Sequence, residues 1–189
     1  MIRIAVVGDI GSGKSYVSKV FGYPVFNADL EVAKIYRNNR KVFQKLKKEL
    51  PLYFDSFPIK KKEIINAILS KKRNLKKIIK IVHYEVRKKM NDFLKKNKHK
   101  KIVVLDIPLL LENKINKKKD ILVFVESRKP EILRRLKKRK NFNMKIFDNF
   151  KKIQLPLDLK KQKSQFIIKN NFKKNSVKIR VQEIVKNLI

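Results

Sequence analysis

At 189 residues the chain has the size of one domain with room for a small inserted lobe. Hydrophobic residues make up 43%, enough to build a core and to exclude a disordered chain, and the lack of cysteine excludes a disulfide framework or thiolate metal site. Lys and Arg number 51 against 16 Asp and Glu, and the resulting +35 field draws in any anionic ligand.

No stretch approaches the roughly 18 apolar residues of a membrane helix. The N-terminus runs straight into a short apolar strand, which is not the layout of a signal peptide. The expectation is a soluble cytoplasmic protein with no membrane association, as a monomer or small homo-oligomer. The positive charge has two readings. Basic patches neutralise nucleic-acid phosphates. The other reading is compositional drift, because lysines are spread over the whole chain and Phe falls at apolar-periodic positions, not on a stacking platform. Drift is favoured, and nucleic-acid contact is then only nonspecific.

The first expected strand covers residues 2–7. It runs into Gly8-Asp9-Ile10-Gly11-Ser12-Gly13-Lys14-Ser15, and a helix is expected over 14–21, continuing through Tyr16 and Val17. Strand, glycine-rich turn and helix at the spacing G-x-x-x-x-G-K-S make a phosphate-binding loop. Three of the four glycines of the chain lie in it. They let the backbone curl so that successive N–H groups point at an anion, and the helix adds its positive end. Lys14 then reaches the outer phosphates, and Ser15 offers a hydroxyl to magnesium.

Residues 23–26 read as a short second strand that delivers Asn27-Ala28-Asp29 to the rim carrying the phosphate loop. Asp29 there accepts a proton from an attacking hydroxyl, holds magnesium through water, or caps the helix that follows. Residues 37–100 are helical and basic, broken at Pro51 and Pro58, with helical periodicity over 61–69 and 74–95. His83 and Arg87 lie four apart and so share one helix face, a pair suited to gripping an anionic substrate or simply a surface pair. A buried strand over 101–105 ends in Asp106-Ile107-Pro108-Leu109-Leu110-Leu111-Glu112, where a carboxylate beside a metal, or a turn-initiating Asp, is expected. A further strand covers 120–126. A helix over 130–139 carries Arg135 and Arg139 four apart, a solvated face or a flap that stabilises transferring charge. A last strand at 165–168 precedes Lys169-Asn170-Asn171 and a closing amphipathic helix over about 176–188.

Taken together, these residues resemble the dephospho-coenzyme A kinase family over nearly the whole chain. The resemblance rests on the phosphate loop, Asn27-Ala28-Asp29, His83-Tyr84-Glu85-Val86-Arg87, the string Asp106-Ile107-Pro108-Leu109-Leu110-Leu111-Glu112, the arginine flap and Ile168-Lys169-Asn170-Asn171. The string at 106–112 separates this family from other small P-loop kinases. The resemblance implies an α/β P-loop NTPase fold, with a five-stranded parallel sheet and helices on both faces. It also implies a core of about 1–36 and 101–189, a helical substrate lobe of about 37–100 and a flap of about 128–155. The implied reaction moves the γ-phosphoryl group of ATP, with magnesium, to the ribose 3′-hydroxyl of dephospho-coenzyme A. By the same resemblance Asp29 is the general base and Lys14, Arg135 and Arg139 act on the transferring group. Residues 8–16 and Asn170 bind nucleotide, Ser15 holds magnesium, and Asp29, His83, Arg87, Asp106, Pro108 and Leu109 contact the acceptor. The chain departs from the family pattern at Asn27 and Lys169, where the family has Asp, at Tyr84, where it has Pro, and at Phe150, where it has Arg. Two other readings stand beside this one: a P-loop kinase of another nucleotide-like acceptor, and a catalytically weak relative that binds NTP and nucleic acid.

Overall fold

A computed structural model describes residues 1–139 and 142–189. Five parallel strands form one sheet in the order β2-β3-β1-β4-β5. They are β1 (Ile2–Gly8), β2 (Val25–Asn27), β3 (Ile102–Asp106), β4 (Ile121–Glu126) and β5 (Phe166–Lys169). The three inner strands are near-continuous apolar runs because a parallel sheet is covered on both faces. On one face Ile4, Val6, Ile102, Val104, Val123, Val125 and Ile168 pack on Val17 and Phe21 at α1 (Lys14–Val20) and on Val177, Val181 and Ile184 of α9 (Lys174–Leu188). Alternate residues of β1, namely Arg3, Ala5 and Val7, point to the other face, where α8 (Leu157–Gln162) packs on β1.

The strand positions follow the expected ones within about a residue, except that β2 begins at Val25 and ends at Asn27. Pro24 lacks an N–H and enters the ladder only as an acceptor, from the Val104 N–H at 2.9 Å. α6 spans Lys129–Lys137, starting one residue before and ending two residues before the 130–139 that the periodicity suggests. The helices α7 (Met144–Lys152) and α8 were not anticipated; each is short and crowded with lysine, which blurs the apolar stripe.

Packing divides the chain into two compact units. The first comprises Met1–Asn27, Asn97–Phe142 and Lys151–Ile189 and holds the whole sheet. The second comprises Ala28–Lys96 and Asn143–Phe150. It holds α2 (Ala28–Asn38), α3 (Arg40–Glu49), α4 (Lys61–Ser70) and the long α5 (Lys72–Lys96). α2 falls in this unit, not with the sheet, because it packs on α5. The helical unit therefore begins earlier than residue 37. The stripe Leu75, Ile78, Val82, Val86 and Met90 gives α5 its buried face, as expected from the helical period. The expected flap of 128–155 includes residues 140 and 141, which lie outside the described residues. Among the described residues no helix is long and apolar enough to cross a membrane.

Candidate active site

β1 lies between β3 and β4, and its connection runs to one side while that of β4 runs to the other. Such a switch point opens a crevice at the carboxyl ends of the strands, and the phosphate loop follows β1 there. Gly13 caps α1 with φ of 93°, a region that disfavours any side chain. A Cβ on Gly13 would collide with the Asn170 amide nitrogen. Gly11, with φ of 83°, is pressed in the same way against Ile132 and Leu136 of α6. The loop is thus moulded from behind by α6 and by the segment after β5.

Asn170 is the main buttress. It is buried, and its side-chain amide donates to the Ser12 carbonyl at 2.8 Å while its oxygen accepts from the Phe172 N–H at 2.9 Å. The Ser127 hydroxyl donates to the same Ser12 carbonyl at 3.0 Å. Asn170, expected as a nucleotide contact, spends its side chain on holding the loop. Arg135 lies on the exposed side of α6, with its guanidinium 4.3 Å from the centre of the Phe172 ring. Arg139 is exposed just beyond the end of α6.

Within the loop the Lys14 ammonium donates to the Asp9 carbonyl at 2.7 Å and to the Gly8 carbonyl at 3.4 Å. It stands folded over the place where phosphates are expected. Ser15 and Tyr16 are exposed at the start of α1. The Ser15 hydroxyl hydrogen-bonds to Asp106, which closes β3 and is buried. Burial pushes the Asp106 carboxyl above its ordinary range, and the Ser15 hydroxyl, the Lys14 charge and the Asn27 amide oppose that rise. The Asn27 amide donates to Asp106 Oδ2 at 2.6 Å. A hydroxyl and one carboxylate are the hard oxygen donors that suit magnesium, which keeps several waters and phosphate oxygens as its other ligands. No group of three or more His, Cys, Asp or Glu gathers among the described residues, so the donor set fits a shared ion better than a protein-only cage.

The loop after β3 is held hard. Leu109 adopts φ of 58°, an unusual conformation for leucine, and the Asn113 side chain and N–H both donate to its carbonyl. Leu109, Leu110, Leu111 and Glu112 line a small cleft with Gly8, Lys14 and Lys160, and Pro108 sits half-buried beside them in sequence. In the helical unit Asp29 is exposed in the first turn of α2, His83 is half-buried on α5 and Arg87 is exposed one turn further along.

The profile of the dephospho-CoA kinase family matches residues 2–176. The chain belongs to the dephospho-CoA kinase family. A dephospho-CoA kinase of Wolbachia sp. subsp. Brugia malayi (strain TRS) is 32% identical, over 98% of this chain and 97% of the relative. Another, of Zymomonas mobilis subsp. mobilis, is 29% identical over 90% and 88%. Among solved structures, TT1252 from Thermus thermophilus superposes with a TM-score of 0.80 at 25% identity, covering 98% and 96% of the two chains. The dephospho-CoA kinase of Campylobacter jejuni shares the fold, with a TM-score of 0.63 at 19% identity over 98% and 96%.

Against the dephospho-CoA kinase pattern, the departure at Asn27 now has a physical reading. A carboxylate at that position would face Asp106 across a hydrogen-bond distance, and two like charges there would have to share a proton or a cation. The amide removes the conflict by donating. Two features of this family member went unnoticed in the sequence. Lys160, on α8, is buried at 3% side-chain exposure and pairs with Glu112 at 2.6 Å, while Glu112 also accepts from the Leu155 N–H at 3.0 Å. Lys151, in the last turn of α7, pairs with Asp9 of the phosphate loop at 2.6 Å. One lysine among so many basic residues carries no pattern that could mark it beforehand.

Proposed function

We propose that this chain carries out its family's reaction, ATP-dependent phosphorylation of dephospho-coenzyme A to coenzyme A, with the donor phosphates in the loop 8–15. The observation that carries the assignment is the joining of Ser15 and Asp106 beside the Lys14 ammonium at the carboxyl ends of β1 and β3. Phosphoryl transfer needs positioning and charge neutralisation more than covalent help. The loop N–H groups and Lys14 hold and screen the phosphates. Ser15 and Asp106 are the residues that would hold magnesium, which screens the charge shared between the outer phosphates. Asp29 takes the proton from the acceptor's 3′-hydroxyl, His83 and Arg87 hold the acceptor's anionic groups, and Arg135 and Arg139 screen the transferring group. The helical unit of Ala28–Lys96, with Asn143–Phe150, serves as the acceptor lobe.

The test is a coupled assay with ATP, magnesium and dephospho-coenzyme A, run against a panel of nucleosides and nucleoside monophosphates. Preference for dephospho-coenzyme A supports the reading, and preference for another acceptor overturns it. Asp29→Asn is expected to lower kcat by about a thousandfold, within the range that general-base catalysis supplies, while ATP affinity stays within about twofold. A near-parental kcat would remove Asp29 from the base role.

A further inference from the structure

The phosphate loop contains a carboxylate. Asp9 is the second residue of Gly8-Asp9-Ile10-Gly11-Ser12-Gly13-Lys14-Ser15, and a negative charge there opposes the anion that the loop is shaped to receive. The side chain is turned back on its own chain. Its Oδ1 accepts from the Ile10 N–H at 2.6 Å and from the Lys151 ammonium at 2.6 Å. Its carbonyl takes the Lys14 ammonium at 2.7 Å. Two lysines therefore meet at Asp9, one on the carbonyl and one on the carboxylate. The Asp9 side chain is 13% exposed and that of Lys151 is 38% exposed, so the pair is half-shielded and its charges are only partly screened by water.

We propose that Lys151 sets the loop's affinity for the nucleotide by neutralising Asp9, and so acts as a positioning residue of the donor site. With Lys151 in place, the Asp9 carboxylate is pinned against the Ile10 N–H with its charge cancelled, and the loop meets the triphosphate as a neutral or positive cradle. Without Lys151 the carboxylate stands uncancelled beside the bound phosphates and repels them. Lys14 is then drawn toward Asp9 and away from the anion. The lysine comes from the end of α7, 142 residues along the chain. The inference rests on the loop 8–15 being the nucleotide site.

The experiment measures binding of ADP with magnesium by calorimetry to the parent, Lys151→Met, Lys151→Arg, and the double variant Asp9→Asn with Lys151→Met. Lys151→Met is expected to weaken ADP by about fivefold, the scale of one partly screened charge at this range. Lys151→Arg should keep affinity within about twofold. The double variant should return to within about twofold of the parent, since the charge that needed cancelling is gone, and that rescue also shows that Lys151→Met alone had not unfolded the site. A double variant as weak as Lys151→Met would mean that Lys151 grips phosphate itself, and would overturn the proposal. So would unchanged binding in Lys151→Met. Failure of the parent to bind ADP, or full binding by Lys14→Ala, would instead strike at the donor-site assignment.

Discussion

Two buried aspartates sit at opposite ends of the same sheet. Asp106 closes β3 at its carboxyl end, and Asp120 stands one residue before β4 at its amino end. Both are almost wholly buried, and burial raises both carboxyls above the ordinary value of 3.8. Their partners differ in kind. Asp120 meets Arg3 in two contacts, Nε to Oδ1 at 2.9 Å and Nη2 to Oδ2 at 3.0 Å, and accepts from the Lys117 N–H at 2.9 Å. One hydrogen bond and one close ion contact hold this rigid guanidinium on the carboxylate. Asp106 has a side-chain amide from Asn27, a hydroxyl from Ser15 and the charge of a flexible lysine. These last two can turn to a ligand. Buried charge is closed off at one end of the sheet and left exchangeable at the other, and the exchangeable end carries the phosphate loop.

Breaking the closed end should have the largest effect on folding. Arg3→Met strands the Asp120 carboxylate and is expected to cost about 3–5 kcal/mol. Thermal melting should show Tm lower by about 10 °C for a chain of this size. At temperatures where the variant is folded, kcat and KM should be unaltered. An unchanged Tm would mean that the amino-end pair is not structural in the sense argued.

Asp106→Asn should invert that pattern, with turnover lower by about a hundredfold or more and no loss of Tm at pH 7. The sign follows from the raised carboxyl. Its contribution to stability is fully present below the unfolded value and is lost as pH rises through the folded value. At neutral pH the charged carboxylate therefore weighs against the fold, and an amide relieves it. Any Tm advantage of the variant should shrink as pH falls toward about 4. A Tm that drops sharply at pH 7 would show that Asp106 belongs with Asp120 as a structural charge.

The smallest effect is expected at Asn27. Asn27→Asp places a second carboxylate against Asp106 and should lower Tm by a few degrees without magnesium, roughly 1 kcal/mol. Magnesium should restore more Tm to the variant than it adds to the parent, since the paired carboxylates would bind the ion together. Equal magnesium responses in the two proteins would separate Asn27 from the cation site.

Features that rest on local spacing were legible in the sequence, and contacts between distant residues were not. The phosphate loop, the strand ending at Asp106 and the helix bearing His83 and Arg87 each rest on local spacing, where residues a few positions apart fix the geometry. The contacts Arg3 to Asp120, Asp9 to Lys151 and Glu112 to Lys160 join residues far apart in the chain, and nothing local marks which lysine meets which acid. By its sequence alone α2 has two available partners, the sheet and α5, and it packs on α5. Only packing decides between them.

The strand order has a consequence for how the chain is made. β1 is synthesised well before its neighbours β3 and β4, with Ile2 opposite Ile102 and Ile4 opposite Ile121. At about 5–20 residues per second, the apolar run Ile4-Ala5-Val6-Val7 waits seconds or longer for any ladder to join. A short, β-prone segment without a partner is a hazard for association between nascent chains. Arg3, which locks onto Asp120 in the folded chain, sits directly before that run, and a charge beside an unpaired apolar strand opposes such association.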